Sequence, residues 1–309
     1  MDSYADELLK LLSKHDCKGQ TISVERLPLL KREIEEFYSQ GLFDKEFYRE
    51  RLSWLNFELP ESLPRAKSII VIATPRPQTR AIFNLNGQRR PLIIPPTYTG
   101  YDRVREQIED LLAKTISREK YTLTRTTLPL KLLAARSGLA QYGRNNICYV
   151  QGMGSFLQLA AVYSDMPCEE DNWQEKTVME SCEECERCRR ACPSGAIPSD
   201  RFLLRAERCI VYHNEKKGDI SFPEWVDASW HNCIVGCMHC QRACPENRKF
   251  IEFFDEEEEF SEEETKLLLN DMSGDRLPAR TRGKLERLSL IDYLDSLQRN
   301  LGVFFNKHK

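Results

Sequence analysis

Residues 182–198 read CEECERCRRACPSGAIP. Cys182, Cys185, Cys188 and Cys192, closed by Pro193, make the pattern C-x2-C-x2-C-x3-C-P. In that spacing three neighbouring thiolates wrap one face of a [4Fe-4S] cluster and the fourth reaches away to a second cluster. A second trio lies in CIVGCMHCQRACPEN, where Cys237, Cys240 and Cys244 precede Pro245. Strict repetition asks for a fourth cysteine at 234, where Ile234 stands, so both Cys233 and Cys209 are candidates for the remaining ligand. A pair of four-cysteine zinc sites also uses C-x2-C. The two tandem Cys-Pro endings favour iron and sulfide over zinc.

Nine of the twelve cysteines fall between Cys182 and Cys244, leaving Cys17, Cys148 and Cys168 outside. The N-terminus, MDSYADELLKLLSKHDCKGQ, reads as an acidic amphipathic helix with no apolar leader region, and no run is long enough to span a bilayer. A cytoplasmic protein with no membrane partner is expected, and in that compartment cysteines at this density serve metal or redox chemistry rather than disulfides. A net charge of −3 over 309 residues, with 45 Lys and Arg, gives no global reason to expect nucleic acid.

Something must position the cysteines and receive their electrons, and the N-terminal half supplies the elements. AKSIIVIATP predicts a buried strand entering a Pro-rich loop, and GYDRVREQIEDLLAKTI predicts a helix with Val104, Ile108, Leu111 and Leu112 on one face. From residue 121 to 166 the order is strand, helix, Gly-rich loop, strand, Gly-Ser turn, strand. Gly138, Gly143, Gly152 and Gly154 fall at turns, where a ligand could approach the backbone or where the chain simply turns tightly. No G-x-G-x-x-G follows a strand and no P-loop is present, which removes support for nicotinamide or nucleoside triphosphate binding.

Together these motifs resemble the epoxyqueuosine reductases, cobalamin-dependent iron-sulfur enzymes of tRNA queuosine biosynthesis, and more distantly the reductive dehalogenases. The resemblance rests on LPRAKSIIVIATP, AARSGLAQYGRNN, the GS of GMGSFLQLA, CEECERCRRACPSGAI, RCIVYHNE and GCMHCQRACPEN, in the family's order. It implies an α+β fold: a nitroreductase-like cobalamin-binding domain over 1–167, a ferredoxin-like double-cluster module over 168–250 and a helical tail over 251–309. It also implies two ligand sets, Cys182, Cys185, Cys188 and Cys244 for one cluster and Cys192, Cys209, Cys237 and Cys240 for the other. Cys233 is then a spare thiol. Cobalamin is expected base-off with no protein histidine on cobalt. The matching positions imply cofactor contacts from Arg144, Asn145, Gly154, Ser155, Phe156, Ile210 and His213. His213 and His239 flank cluster cysteines as tuning donors.

Two departures from the family point to a different substrate. The family carries a proton-donating acid in a VDTxP motif, whereas residues 125–129 here read RTTLP and Thr126 stands in its place. A threonine hydroxyl titrates far from neutral pH and cannot replace that acid. Tyr98, Tyr101 and Tyr142, with Arg144, are the candidates for supplying the proton instead. The family's long RNA-gripping repeat region corresponds here to residues 251–309, which open on the acidic run FFDEEEEFSEEETKLLLN. That run is expected to be a solvated face or a helix start, with Ser261 and Glu264 as a capping box. RNA binding loses support, although Arg276, Arg280, Arg282 and Lys284 keep it open.

The resulting expectation is a cobalamin- and [4Fe-4S]-dependent reductase of a small or unidentified substrate, fed by an external low-potential donor of the ferredoxin or flavodoxin type. The alternatives are an electron-transfer or corrinoid-reactivating protein, and a genuine epoxyqueuosine reductase.

Overall fold

The computed structural model describes residues 4–116, 121–270 and 277–305. Its contacts group the chain into two compact units that are not consecutive stretches: residues 1–75, 102–186 and 199–206 form the first, and 76–101, 187–198 and 207–309 the second.

The first unit is built on an antiparallel sheet of order β1 (Lys18–Ser23), β2 (Ser68–Pro75), β8 (Leu157–Ser164) and β5 (Leu123–Arg125). Because strand side chains alternate between faces, β2 feeds two cores at once. Ile69, Val71 and Ala73 pack with Leu27, Leu30 and Ile34 of α2 (Leu27–Ser39) and with Leu132 and Leu133 of α5 (Leu130–Arg136). Ile70 and Ile72 pack on the opposite face with Leu8 and Leu12 of α1 (Tyr4–Lys14) and with Val104, Ile108 and Leu112 of α4 (Tyr101–Ile116). The expected strand over AKSIIVIATP and the expected apolar face of α4 are both present. Helix α3 (Lys45–Arg51) starts at Asp44, whose carboxylate accepts from the Phe47 amide at 2.9 Å.

Glu33 on α2 is buried, yet its carboxylate accepts from the Arg136 guanidinium at 2.7 and 2.9 Å and from Lys176. This satisfied charge ties α2, α5 and the chain leading to the first cysteine motif into one piece.

The second unit holds a sheet of order β4 (Gln88–Ile94), β3 (Gln78–Leu85) and β9 (Phe254–Phe260), with β9 parallel to β3. Strands β3 and β4 form a hairpin through Asn86 and Gly87, both at positive φ, the dipeptide that two-residue hairpin turns favour. The sequence reading placed a Pro-rich loop here. The acidic run divides: residues 254–260 are strand β9, where a solvated face or helix start was expected, while Glu262, Glu263 and Glu264 do begin a helix. Glu257 pairs with Arg80 and Arg89, Glu259 with Arg89 and Asn84, and Glu258 with Arg287. Helices α9 (Glu262–Asn270), α10 (Ala279–Arg287) and α11 (Leu294–Phe305) complete this unit around Phe83, Phe260, Leu268, Leu285 and Leu301. The capping box holds: the Ser261 amide donates to Glu264 at 2.8 Å and the Glu264 amide to the Ser261 hydroxyl at 3.2 Å.

Candidate metal centre

In the first unit, the start of the cysteine run hangs from the Gly-rich loop. Strands β6 (Gln141–Tyr142) and β7 (Cys148–Tyr149) pair across a turn in which the Gly143 amide donates to Ile147 at 2.8 Å. A Cβ on Gly143 would lie 2.6 Å from the Tyr149 ring and 2.7 Å from the Asn145 side chain, so glycine is required by the loop's own packing. Outside this turn, Tyr142 exchanges backbone bonds with Thr177 and Met179, and the Cys182 amide then donates to Met179 at 2.9 Å. Arg144 completes the attachment. Its guanidinium donates to the Cys182 carbonyl at 2.6 and 3.2 Å and to Glu183 at 2.9 Å, with the Glu186 carboxylate 3.6 Å away.

In the second unit, cysteines come from three segments. Cys188 lies on α6 (Arg187–Ala191), and Cys192 follows it with its thiol 3.5 Å from the Ser194 hydroxyl. Cys209 is the residue before α7 (Ile210–Asn214). Cys237 follows a turn at Gly236 (φ 71°), Cys240 sits on α8 (His239–Arg242), and Cys244 precedes a short turn at Pro245.

Two of these thiols are raised by their surroundings. Burial, then the charges of Cys237, Cys209, Cys192 and Cys188, drives the Cys240 thiol well above its ordinary value. Burial pushes Cys237 up to about 12, with Cys209 and Cys192 adding to the rise and the His239 amide opposing it. Thiols raised in this way give up their protons only to a positively charged, thiophilic centre, which is the kind of group these donors fit. Cys233, fully enclosed and raised chiefly by burial, feels Cys237 and Cys240 but not Cys192 or Cys209 among its leading influences. Among the described residues no group of three or more His, Cys, Asp or Glu converges as for a single metal ion.

Residues 181–247 match a family model described as a 4Fe-4S double cluster binding domain. Over longer spans, the epoxyqueuosine reductase of Staphylococcus aureus is 28% identical over 228 residues, 71% of this chain and 58% of the relative. That of Bacillus subtilis is 28% identical over 227 residues, 67% and 57%. Over these spans the chain is similar to the epoxyqueuosine reductases. It spans less than three fifths of the length of these two curated relatives. The fold agrees: an epoxyqueuosine reductase from Streptococcus thermophilus superposes with a TM-score of 0.64 at 20% identity, covering 96% of this chain and 79% of that one. A further epoxyqueuosine reductase structure, with a tRNA-Tyr epoxyqueuosine-modified tRNA stem loop, gives 0.64 at 21% identity, covering 96% and 80%. The mixed α+β architecture with a double-cluster region is therefore that of the epoxyqueuosine reductases.

The remaining candidates are held within their own units. Tyr98 donates its hydroxyl to Glu215, and its phenol is raised by burial and then by that carboxylate. Tyr142 is buried with its ring edge-on to Phe202, and burial pushes its phenol up. Tyr101 opens α4 and is 37% exposed. Thr126 donates to the Ala161 carbonyl at 3.4 Å. Asn145 is buried, donating to the Tyr149 hydroxyl at 2.9 Å and accepting from the Ile147 amide. Gly154, Ser155 and Phe156 are buried in the turn before β8, where Val150 and Gly154 form a bridge. Ile210 and His213 are buried on α7. Nε2 of His213 donates to the Glu207 carbonyl at 2.8 Å, and Nε2 of His239 to Trp230 at 2.9 Å. Lys284 is buried against Glu264 and the Glu259 carbonyl, each at 2.6 Å, which takes it out of any RNA-facing patch. Arg280 is exposed and Arg282 partly so, while Arg276 lies outside the described residues. No helix of the described residues is long and apolar enough to cross a membrane.

Proposed function

We propose that this protein is a reductase of the epoxyqueuosine reductase type that holds two [4Fe-4S] clusters and, on motif resemblance, uses cobalamin, and that its substrate is not epoxyqueuosine in tRNA. The match of residues 181–247 to a double-cluster domain carries the reading. The family resemblance selects Cys209 rather than Cys233 to accompany Cys192, Cys237 and Cys240, and the influence of Cys209 and Cys192 on the Cys237 and Cys240 thiols supports that choice. Cys182, Cys185, Cys188 and Cys244 are assigned to the other cluster on the family resemblance. Within this plan the protein's own groups have plain tasks. Arg144 fixes the turn that carries Cys182, and His239 fixes the chain beside Cys240. A low-potential protein of the ferredoxin or flavodoxin type is the proposed electron source.

Cobalamin is supported by motif resemblance. When bound base-off it would supply a strongly nucleophilic, strongly reducing cobalt. Arg144, Asn145 and His213 all have polar atoms engaged inside the protein and form no ready cradle for it. A different substrate is supported by Thr126, which replaces the family's acid and directs its hydroxyl to a backbone carbonyl, and by the burial of Lys284. A second reading, reduction of epoxyqueuosine itself, draws on the likeness in fold to the structure that holds a modified tRNA stem loop.

The deciding experiment presents anaerobically reconstituted, reduced protein with cobalamin and then with an epoxyqueuosine-containing stem loop. The expected results are the absorption change of bound, reduced cobalamin and no formation of queuosine by mass spectrometry. Full conversion would establish the second reading. If cobalt is reoxidised only by a partner corrinoid protein, the chain is an electron carrier.

A further inference from the structure

The segments carrying Cys209 and Cys237 are joined by side chains that no cysteine motif contains. Asn300 on α11 is buried, and its amide donates to the Asn214 carbonyl at 3.0 Å and to the Ile234 carbonyl at 3.1 Å. One side chain thereby bridges the end of α7 to the turn before Cys237. Asn214 repeats the bridge from the other side, donating to the Gly236 carbonyl at 2.7 Å. Arg299 donates to the carbonyls of His213, Asn214, Lys217 and Ile220 at 2.6–3.1 Å and lies over the Phe222 ring. It gathers the last carbonyls of α7, those of His213 and Asn214, together with two from the chain that follows.

Tyr98 closes the opposite side. Its hydroxyl binds Glu215, the residue after α7, and its ring lies 2.6 Å from where a Cβ on Gly236 would be. Gly218 completes the fit, since a Cβ there would collide with the Asp295 carbonyl at the start of α11.

We propose that helix α11 and Tyr98 form a clasp that retains the cluster held by Cys192, Cys209, Cys237 and Cys240, with Asn300, Arg299 and Tyr98 as positioning residues. The clasp rests on the reading of those cysteines as cluster ligands. A cubane binds its four thiolates at fixed separations, so a brace that fixes α7 against the 234–237 turn sets whether the site is ready before metal arrives. The C-terminal helix is thereby given a task inside the metal module, apart from any contact with RNA.

The test uses the full-length protein reconstituted with iron and sulfide, reading iron per chain, the EPR spectrum of the reduced clusters and far-ultraviolet circular dichroism. Wild-type protein should show two cluster signals; protein that binds no iron would refute the reading of the cysteines and leave the clasp without an object. Asn300→Leu should lose one signal and about half the iron, with the other signal and the helical content unchanged. Retention of both signals at wild-type iron would overturn the clasp. Tyr98→Phe keeps the ring against Gly236 and removes only the bond to Glu215, so it decides the matter should the Asn300 variant fail to fold. Loss of this bond releases the chain after α7 from Tyr98 on the side that carries Cys209, and one of the two midpoint potentials should shift while the other stays. Equal shifts in both, or none, would overturn the clasp.

Discussion

The two cysteine-bearing regions are held by different means. In the first unit a single arginine does most of the fastening: Arg144 reaches from a tight glycine turn to the carbonyls of Cys182 and Glu183. In the second unit α7 and the 234–237 turn are tied by Asn300, Asn214, Arg299 and Tyr98, which come from parts of the sequence as distant as residues 98 and 300. Local attachment leaves the first region dependent on one side chain. Distributed attachment makes the second dependent on the packing of the whole C-terminal part.

The largest test of this difference concerns the ligands themselves. Cys209→Ser should remove one cluster's share of iron and one EPR signal, because Cys209 lies among the thiols that perturb Cys237 and Cys240. Cys233→Ser should leave both, since its thiol is enclosed and its backbone is committed to a bridge with Ile93. The reverse result would exchange the two residues and place the bridge at Ile93, rather than α7, at the centre of the second region.

The next test strikes the packing beneath α11. Lys284 and Glu264 expose only 7% and 13% of their side chains, and removing one member of such a pair leaves the other buried and uncompensated. Lys284→Met should cost about 2–3 kcal/mol in denaturant unfolding, below the range for fully buried pairs because Glu264 retains some solvent contact. Burial pushes the Glu264 carboxyl up, but the Lys284 bond and the Ser261 amide outweigh it and hold the group below its ordinary value. A carboxyl depressed by folding contributes stability that is present above the ordinary glutamate range, near about 4.3, and is lost as pH falls through the folded value. The deficit of the variant should therefore be constant from about pH 8 to about pH 5.5 and begin to shrink only below about pH 4.3. A deficit that shrinks already near neutrality would assign the effect to another group.

Arg144→Ala addresses the first region in the same terms. Bonds from a charged donor to carbonyls contribute roughly 1.5–3 kcal/mol when buried. With a quarter of the Arg144 side chain exposed, the summed loss should be about 2 kcal/mol. One cluster should bleach several-fold faster in air while the other keeps its wild-type rate. Combined with Asn300→Leu, the two losses should add, as independent sites do. A large coupling would show that the two regions share a support and would dissolve the contrast between them.

What the sequence made legible divides along the same line. The cysteine spacing, the strand Ser68–Pro75, the face of α4 and the capping box at Ser261 and Glu264 are local patterns, and each is present. The hairpin Gln78–Ile94 carried a signal in Asn86-Gly87, obscured by the prolines on either side. Strand β9 was hidden for a different reason: its glutamates are matched by Arg80, Arg89 and Arg287 from remote segments, so a charge run that reads as solvated becomes a sheet edge. The clasp had no local signal, because Asn300 and Arg299 bind backbone carbonyls, which every residue possesses.

The smallest effect is expected at Thr126, which belongs to neither attachment. Its hydroxyl approaches the Ala161 carbonyl at 3.4 Å, beyond the 2.5–3.0 Å of an ordinary O–H···O bond, so little stability depends on it. Thr126→Ala should change unfolding free energy by no more than about 0.5 kcal/mol. If Thr126 relays no proton, the pH profile of cobalamin reoxidation by a small electrophile should also be unchanged. A shift of that profile in a variant with wild-type iron and an intact fold would return Thr126 to the reaction through a bound water, since its own hydroxyl cannot titrate in this range. The position that departs from the family's acid would then have changed its means of moving a proton rather than its substrate.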